Sequence, residues 1–148
     1  MKEPLLISEC LLGVACRYDG NTKPLPKETL NRLMERYQLI PVCPEQLGGL
    51  ASPRDPSERR GDRVYMKNGT DVTAQYRRGA VQVLHLAELF GVRRALLKER
   101  SPSCGSGSIY DGSFTGALTA GDGVTAEALK SRGITVYGES RVPELLGD

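Results

Sequence analysis

The chain has 148 residues and contains no tryptophan, one histidine and few aromatic side chains. It also lacks any apolar stretch long enough for a signal peptide or a membrane span. The N-terminal segment MKEPLLISECLLG instead carries charged residues and a proline around a short apolar run. These absences predict a cytoplasmic protein with no membrane partner.

Strong charge of either sign is also missing. Twenty basic side chains stand against eighteen acidic ones, which leaves a formal net charge of +2. That balance is too small to predict binding to a nucleic acid or to a membrane surface. The low aromatic content further argues against a surface on which nucleic-acid bases would stack. We therefore expect a small molecule as the partner.

The four cysteines form no C-x-x-C pair, and their spacing disfavours a zinc ribbon or a thioredoxin-type redox motif. Disulfides rarely persist in the reducing compartment that the chain predicts. Buried structural thiols are the simplest interpretation, since free cysteine is among the most buried residue types. The cysteines are Cys10, Cys16, Cys43 and Cys104.

Strand-like and helix-like segments alternate along the chain. Short apolar runs predict strands at residues 5–7, 39–42, 94–98 and 134–137. Apolar stripes predict helices after Pro26, over 73–90 and over 125–132, with a helical turn at 142–146. This alternation predicts a single-domain α/β fold, Rossmann-like or flavodoxin-like, in which a mostly parallel sheet has helices on both faces. Pro41 would have to lie at a strand end or on an edge strand.

Two connections stand apart from this pattern. Residues 51–70 are polar and rich in proline, glycine and arginine, and are expected to contribute little core. Of the arginines in this segment only Arg54 is expected to line a pocket, whereas the others solvate a loop. Residues 101–123 are rich in glycine and serine, and a connection of this length usually has a functional role.

Three of the cysteines follow predicted strands. Cys10 comes three residues after the first strand, Cys43 directly follows the second, and Cys104 lies a short turn after the third. Because the carboxyl ends of parallel strands share one edge of the sheet, these thiols are expected to meet in one crevice. Three thiolates could bind zinc with a water as fourth ligand, or a [4Fe–4S] cluster with one iron left open. The donor types alone leave both metals possible.

A series of short motifs makes the interpretation more specific. The motifs are S-E-C-L-L-G, C-R-Y-D-G, C-P-E, L-G-G-L, G-T-D-V-T, S-P-S-C-G, Y-D-G and G-D-G-V-T, beginning at residues 8, 16, 43, 47, 69, 101, 110 and 121. In this order they resemble the thiouracil desulfidases, a family of small bacterial iron–sulfur proteins long catalogued as a domain of unknown function. The resemblance spans nearly the whole chain and implies one iron–sulfur desulfidase domain over residues 1–148.

The resemblance also implies a cofactor and its ligands. A [4Fe–4S] cluster would be held by Cys10, Cys43 and Cys104, and its open iron would take the sulfur of a small thiolated pyrimidine. Desulfuration would then exchange C=S for C=O and release sulfide without net electron transfer. Cys16 is expected to be a buried thiol beside the cluster, outside the ligand set.

Two polar residues near these cysteines match catalytic positions of the family. Glu45 lies two residues after Cys43, and a tight turn at Pro44 would bring its carboxylate to the open iron as a general base. The Ser101 hydroxyl can both donate and accept a hydrogen bond, so it could orient the attacking water or relay its proton. Without the resemblance, Glu45 would be read as a solvated loop carboxylate and Ser101 as a turn-capping serine.

Three other functions remain as alternatives at this stage. An iron–sulfur or sulfide carrier would need the thiolates but neither Glu45 nor Ser101. A zinc-dependent hydrolase would use the same cysteines without inorganic sulfide. A thiolated base within RNA would replace the free pyrimidine as substrate, although the charge and the aromatic content argue against a nucleic-acid groove.

Overall fold

The computed structural model describes residues 1–148 and contains eight strands and five helices. In chain order the strands are β1 (Glu3–Ser8), β2 (Tyr37–Val42), β3 (Ser57–Arg60), β4 (Arg63–Met66), β5 (Arg94–Leu97), β6 (Ser108–Tyr110), β7 (Leu118–Ala120) and β8 (Thr135–Gly138). The helices are α1 (Lys27–Arg36), α2 (Pro44–Leu47), α3 (Thr73–Phe90), α4 (Val124–Ser131) and α5 (Val142–Leu146).

Four of these strands form a parallel sheet in the order β2-β1-β5-β8. The chain crosses from β1 to one side to form β2 and later returns to the other side to form β5. The strand order therefore reverses between β1 and β5, and the carboxyl ends of strands at such a switch point are where ligands bind in α/β sheets. Pro41 lies in β2, an edge strand of this sheet, as its missing N–H requires.

Helices cover both faces of the sheet, as the alternating pattern predicted. Successive residues of β1 point to opposite faces, so Leu5 and Ile7 belong to one buried cluster and Leu6 to the other. The first cluster is completed from α1 and α5, for example by Leu33 and Leu145. The second cluster is completed from α3 and α4, for example by Val83 and Leu129. The predicted α/β class and the arrangement of its layers are confirmed.

The two polar connections each contain a short antiparallel hairpin that the sequence did not predict. Strands β3 and β4 pair within residues 51–70, and β6 pairs with β7 within residues 101–123. The first segment contributes more core than expected, because Val64 is fully buried beside Leu50, Val72 and Tyr76. This small cluster attaches the β3–β4 hairpin to the N-terminal part of α3.

Helices α2 and α3 meet through two glycines. A Cβ atom on Gly79 would lie 1.9 Å from the carbonyl oxygen of Pro44, and one on Gly48 would lie 2.0 Å from that of Gln75. Only glycine allows this approach of one backbone to another. The contact fixes α2, and with it the residues at the end of β2, against the longest helix of the fold.

None of the helices combines the length and apolar composition that a membrane crossing requires.

Candidate metal centre and active site

A cavity of about 700 Å³ opens beyond the carboxyl ends of β1, β2 and β5. All four cysteines line it, and none of them is in a disulfide. Two of the polar residues that the sequence singled out, Glu45 and Ser101, also line this cavity. The topology therefore brings together residues separated by more than 90 positions in the chain.

Each of the three strand-end cysteines sits in a short segment of defined geometry. Cys10 lies in a single 3₁₀ turn, Glu9–Leu12, that directly follows β1. Cys43 is the N-cap residue of α2 and follows β2 without an intervening residue. Cys104 lies in the loop after β5 and is buried. These placements agree with the predicted crevice, and the role of the three thiols as ligands remains a prediction.

Contacts with the start of α4 hold the loop that carries Cys104. The Thr125 amide donates to the carbonyl of Ser103 at 2.9 Å, and the Gly123 amide donates to the carbonyl of Gly105 at 2.7 Å. The Ser103 and Thr125 hydroxyls are 3.0 Å apart. A Cβ atom on Gly123 would lie 2.4 Å from the carbonyl carbon of Ser103, so this position needs glycine. The Cys104 thiol is thus presented by a fixed loop.

Cys16 lies closer to the other thiols than the sequence suggested. Its side chain is within hydrogen-bonding contact of the thiols of Cys10 and Cys43. The Cys43 thiol also donates to the backbone carbonyl of Cys16 at 3.9 Å. One ligand atom each of Glu9, Cys16 and Cys43 lie within 4.8 Å of one another. The expectation of a buried thiol beside the strand-end cysteines matches this position.

The thiols have raised pKa values because they are shielded from water and face one another. Burial, and then the negative charge of Glu45, raise the pKa of Cys104 to about 12. The hydrogen bond with Cys10 raises the pKa of Cys16 to about 11, against a smaller lowering by Cys43. The contact with Cys16, and then burial, hold the pKa of Cys43 far above its ordinary range. Without a cation these thiols are protonated at neutral pH.

These pKa values predict a pH-dependent stability of the metal-free protein. The ordinary thiol pKa is 9.0, so above that pH the unfolded chain loses protons that folded Cys16 and Cys104 still hold. Stability conferred by the protonated thiols is complete below this pH and is lost as the pH rises towards 11 and 12. We expect the thermal midpoint of reduced, metal-free protein to fall over this range. A Cys104→Ser variant should show a shallower fall, and an equal slope would contradict the assignment.

Glu45 forms an ion pair with Arg54 in the wall of the cavity. The two side chains are 16% and 5% exposed, so the pair is largely out of water. Burial alone would lower the pKa of Arg54, but the charge and hydrogen bond of Glu45 raise it, so the guanidinium stays charged. Arg54 also donates through Nη1 to the carbonyl of Ala51 at 2.9 Å and to that of Cys16 at 3.3 Å. Its expected position in the pocket is confirmed.

Ser101 faces Glu45 from the opposite side of the cavity. Its Oγ lies 3.5 Å from Oε1 of Glu45. The same oxygen accepts hydrogen bonds from the backbone amides of Ser103 at 3.0 Å and Cys104 at 3.1 Å. Ser101 therefore caps the turn that carries Cys104, and its hydroxyl proton can point to Glu45.

Two further residues of the cavity wall were not expected there. Tyr76 was placed in the apolar stripe of α3, and it is buried, but its side chain also reaches the cavity. Glu9 lies in the turn beside Cys10 and brings a second carboxylate to the thiols. Helical periodicity identifies Tyr76 as a core residue and carries no signal for a cavity beside it.

Known proteins resemble this chain over almost its full length. A sequence model of the family described as 2-thiouracil desulfurase matches residues 5–141. The chain is 38% identical to a protein of Bacillus subtilis (strain 168), the uncharacterized protein YbbK, over 96% of this chain and 99% of that protein. A solved structure, the [4Fe-4S]-dependent thiouracil desulfidase TudS (DUF523Vcz), superimposes with a TM-score of 0.93 at 47% identity, covering 97% of this chain and 95% of the other. With a matching sequence model, a full-length relative and a shared fold, the chain belongs to the 2-thiouracil desulfurase family.

Proposed function

We propose that residues 1–148 form one desulfidase domain that converts the C=S group of thiouracil, or a similar small thiolated pyrimidine, to C=O with release of sulfide. The observation that carries this proposal is the shared cavity, in which buried free cysteines face the Glu45–Arg54 pair and Ser101. The 47% identity to a [4Fe-4S]-dependent thiouracil desulfidase supports the same activity. The reaction consumes one water and needs no net electron transfer.

The donors of the cavity suit a [4Fe–4S] cluster. Thiolates are the usual ligands of such clusters, and Cys10, Cys43 and Cys104 approach the cavity from three different strand ends. Three protein ligands leave one iron available to a substrate. When bound, the cluster supplies a soft Lewis acid that holds the thiocarbonyl sulfur and withdraws electrons from its carbon.

Glu45 is the proposed general base. Arg54 holds one oxygen of its carboxylate, which leaves the other, Oε1, directed towards Ser101. A water beside Oε1 would give up a proton to Glu45 as its oxygen bonds to the thiocarbonyl carbon. The carbon–sulfur bond then breaks, and the sulfur leaves as sulfide with the electron pair of that bond.

Ser101 is proposed to orient this water. Two backbone amides already donate to its oxygen, so its own hydroxyl proton is left to donate towards Glu45 or the water. The arrangement gives the water one acceptor and one donor on the same side of the cavity. Arg54 acts through Glu45 and is a positioning residue.

The experiment that tests this function begins with anaerobic purification. We expect about four irons and four acid-labile sulfides per chain. The loaded protein should convert thiouracil to uracil with one sulfide released per uracil formed. A zinc-containing protein without labile sulfide would contradict the cluster. An intact cluster without uracil formation would instead support a carrier.

A further inference from the structure

The cavity contains a second set of metal donors, which overlaps the proposed cluster ligands but differs from them. We propose that Glu9, Cys16 and Cys43 bind a zinc-like divalent cation when the cluster is absent, and that this cation blocks cluster assembly. Two thiolates and a carboxylate, with a fourth position open to water, are donors that zinc accepts. The proposal assigns Cys16 a role that the desulfuration reaction does not require.

The first argument is the distance between the donors. One ligand atom each of Glu9, Cys16 and Cys43 lie within 4.8 Å of one another, so small movements would bring all three to a single ion. Cys16 and Cys43 are only 3% and 9% exposed, and Glu9 is half-buried. A cation there would be shielded from competing water.

The second argument is that the loop of Cys16 is held in place. Arg54 donates to the Cys16 carbonyl at 3.3 Å, and the Cys43 thiol reaches the same oxygen at 3.9 Å. Within the loop, the amide of Gly20 donates to the carbonyl of Arg17 at 2.9 Å. Cys16 is therefore presented to Cys43 by the fold itself, with no cluster needed to draw it in.

The third argument is that one cysteine is common to both sets. Cys43 belongs to the proposed cluster ligands and to the close group with Glu9 and Cys16, whereas Cys104 belongs only to the former. Cys43 has a single sulfur, so occupation of the divalent site removes a ligand that the cluster needs. Cation binding releases the thiol protons to solvent, as with any thiolate site, and involves no change of oxidation state.

The zinc site can be tested independently of the proposed function. Reduced, cluster-free protein is titrated anaerobically with Zn²⁺ against a chromophoric chelator, and with Co²⁺ to record thiolate-to-cobalt absorption. We expect about one ion per chain. Cys16→Ala should weaken zinc binding by more than about 100-fold, since losing groups that merely orient a ligand already costs about 10–100-fold. Glu9→Gln, which preserves side-chain shape, should weaken it by at least about 10-fold.

Cys104→Ser is the matched control, because it removes a buried thiol of the same cavity that lies outside the proposed zinc set. Its zinc affinity should stay within about twofold of the parent chain. Wild-type binding by Cys16→Ala and Glu9→Gln would overturn the proposal. Loss of zinc binding in correctly folded Cys104→Ser would also overturn it, because zinc would then occupy the strand-end cysteines.

The competition rests on the proposed function, and a second measurement addresses it. Protein with and without one equivalent of zinc is supplied anaerobically with iron and sulfide, and its labile sulfide is measured. Zinc should reduce cluster loading of the parent chain by at least about 10-fold, while Cys16→Ala should load equally well with or without zinc. Loss of the cluster from Cys16→Ala without zinc would overturn the proposal by making Cys16 a cluster ligand. If no variant loads a cluster, the proposed function and the competition fail together, while the zinc titration still decides the site.

Discussion

Replacing Cys104 with serine is expected to abolish the iron–sulfur cluster and with it the release of sulfide from thiouracil. The thiolate at this position would be one of three ligands, and serine offers a harder oxygen donor that iron–sulfur clusters rarely accept. Since groups that only orient ligands cost about 10–100-fold, loss of a ligand should reduce activity by more than about 100-fold. Iron, labile sulfide and turnover are measured on anaerobically purified protein.

The control for this variant is Ser106→Ala, which lies in the same loop two residues further along. It should retain both the cluster and the activity, which would separate loss of a ligand from disturbance of the loop. Circular dichroism confirms that Cys104→Ser is folded. A folded Cys104→Ser protein with wild-type iron content and turnover would show that the proposed ligand set is wrong.

Replacing Glu45 with glutamine is expected to leave the cluster in place and to slow desulfuration by about 10²–10⁴-fold, the usual contribution of a positioned general base. The amide oxygen of glutamine can still accept from Arg54, but its nitrogen cannot take a proton from water. Iron content should remain at the parent level while kcat falls. Glu35→Gln, on exposed α1, makes the same chemical change away from the cavity and should have no effect on kcat.

Stability must be recorded with this variant, because Arg54 is 5% exposed and would lose its charged partner. Removing one member of a buried pair costs about 3–5 kcal/mol, less where a neutral acceptor remains. Turnover is therefore compared well below the thermal midpoint of each protein. Full activity of both Glu45→Gln and Ser101→Ala with intact clusters would reject the proton-transfer assignment.

The parts of the fold that were predictable from sequence have local causes. Helix α3 has the predicted limits, Thr73–Phe90, because its apolar stripe and the stop at Gly91 are written within one segment. The sheet strands follow from short apolar runs, and the edge position of β2 follows from Pro41. The meeting of the strand-end cysteines at one cavity followed once the sheet was taken as parallel.

Other features depend on contacts between distant segments. The approach of Cys16 to Cys43 depends on a loop that Arg54 holds from a third segment, and no local pattern encodes that contact. The β6–β7 hairpin was missed because its strands are three residues long and β7 is exposed. The ion pair of Glu45 with Arg54 likewise arises only when residues 51–70 fold over the cavity.

The glycine contact between α2 and α3 has a consequence for how this site can evolve. Because bare backbone at Gly79 touches the carbonyl of Pro44, no side chain is present there to absorb a shift. The neighbours of Pro44 in the chain are a proposed cluster ligand and the proposed base, Cys43 and Glu45. Any displacement of α3 is therefore passed to both at once, so the spacing of sulfur and carboxylate is inherited as a single unit.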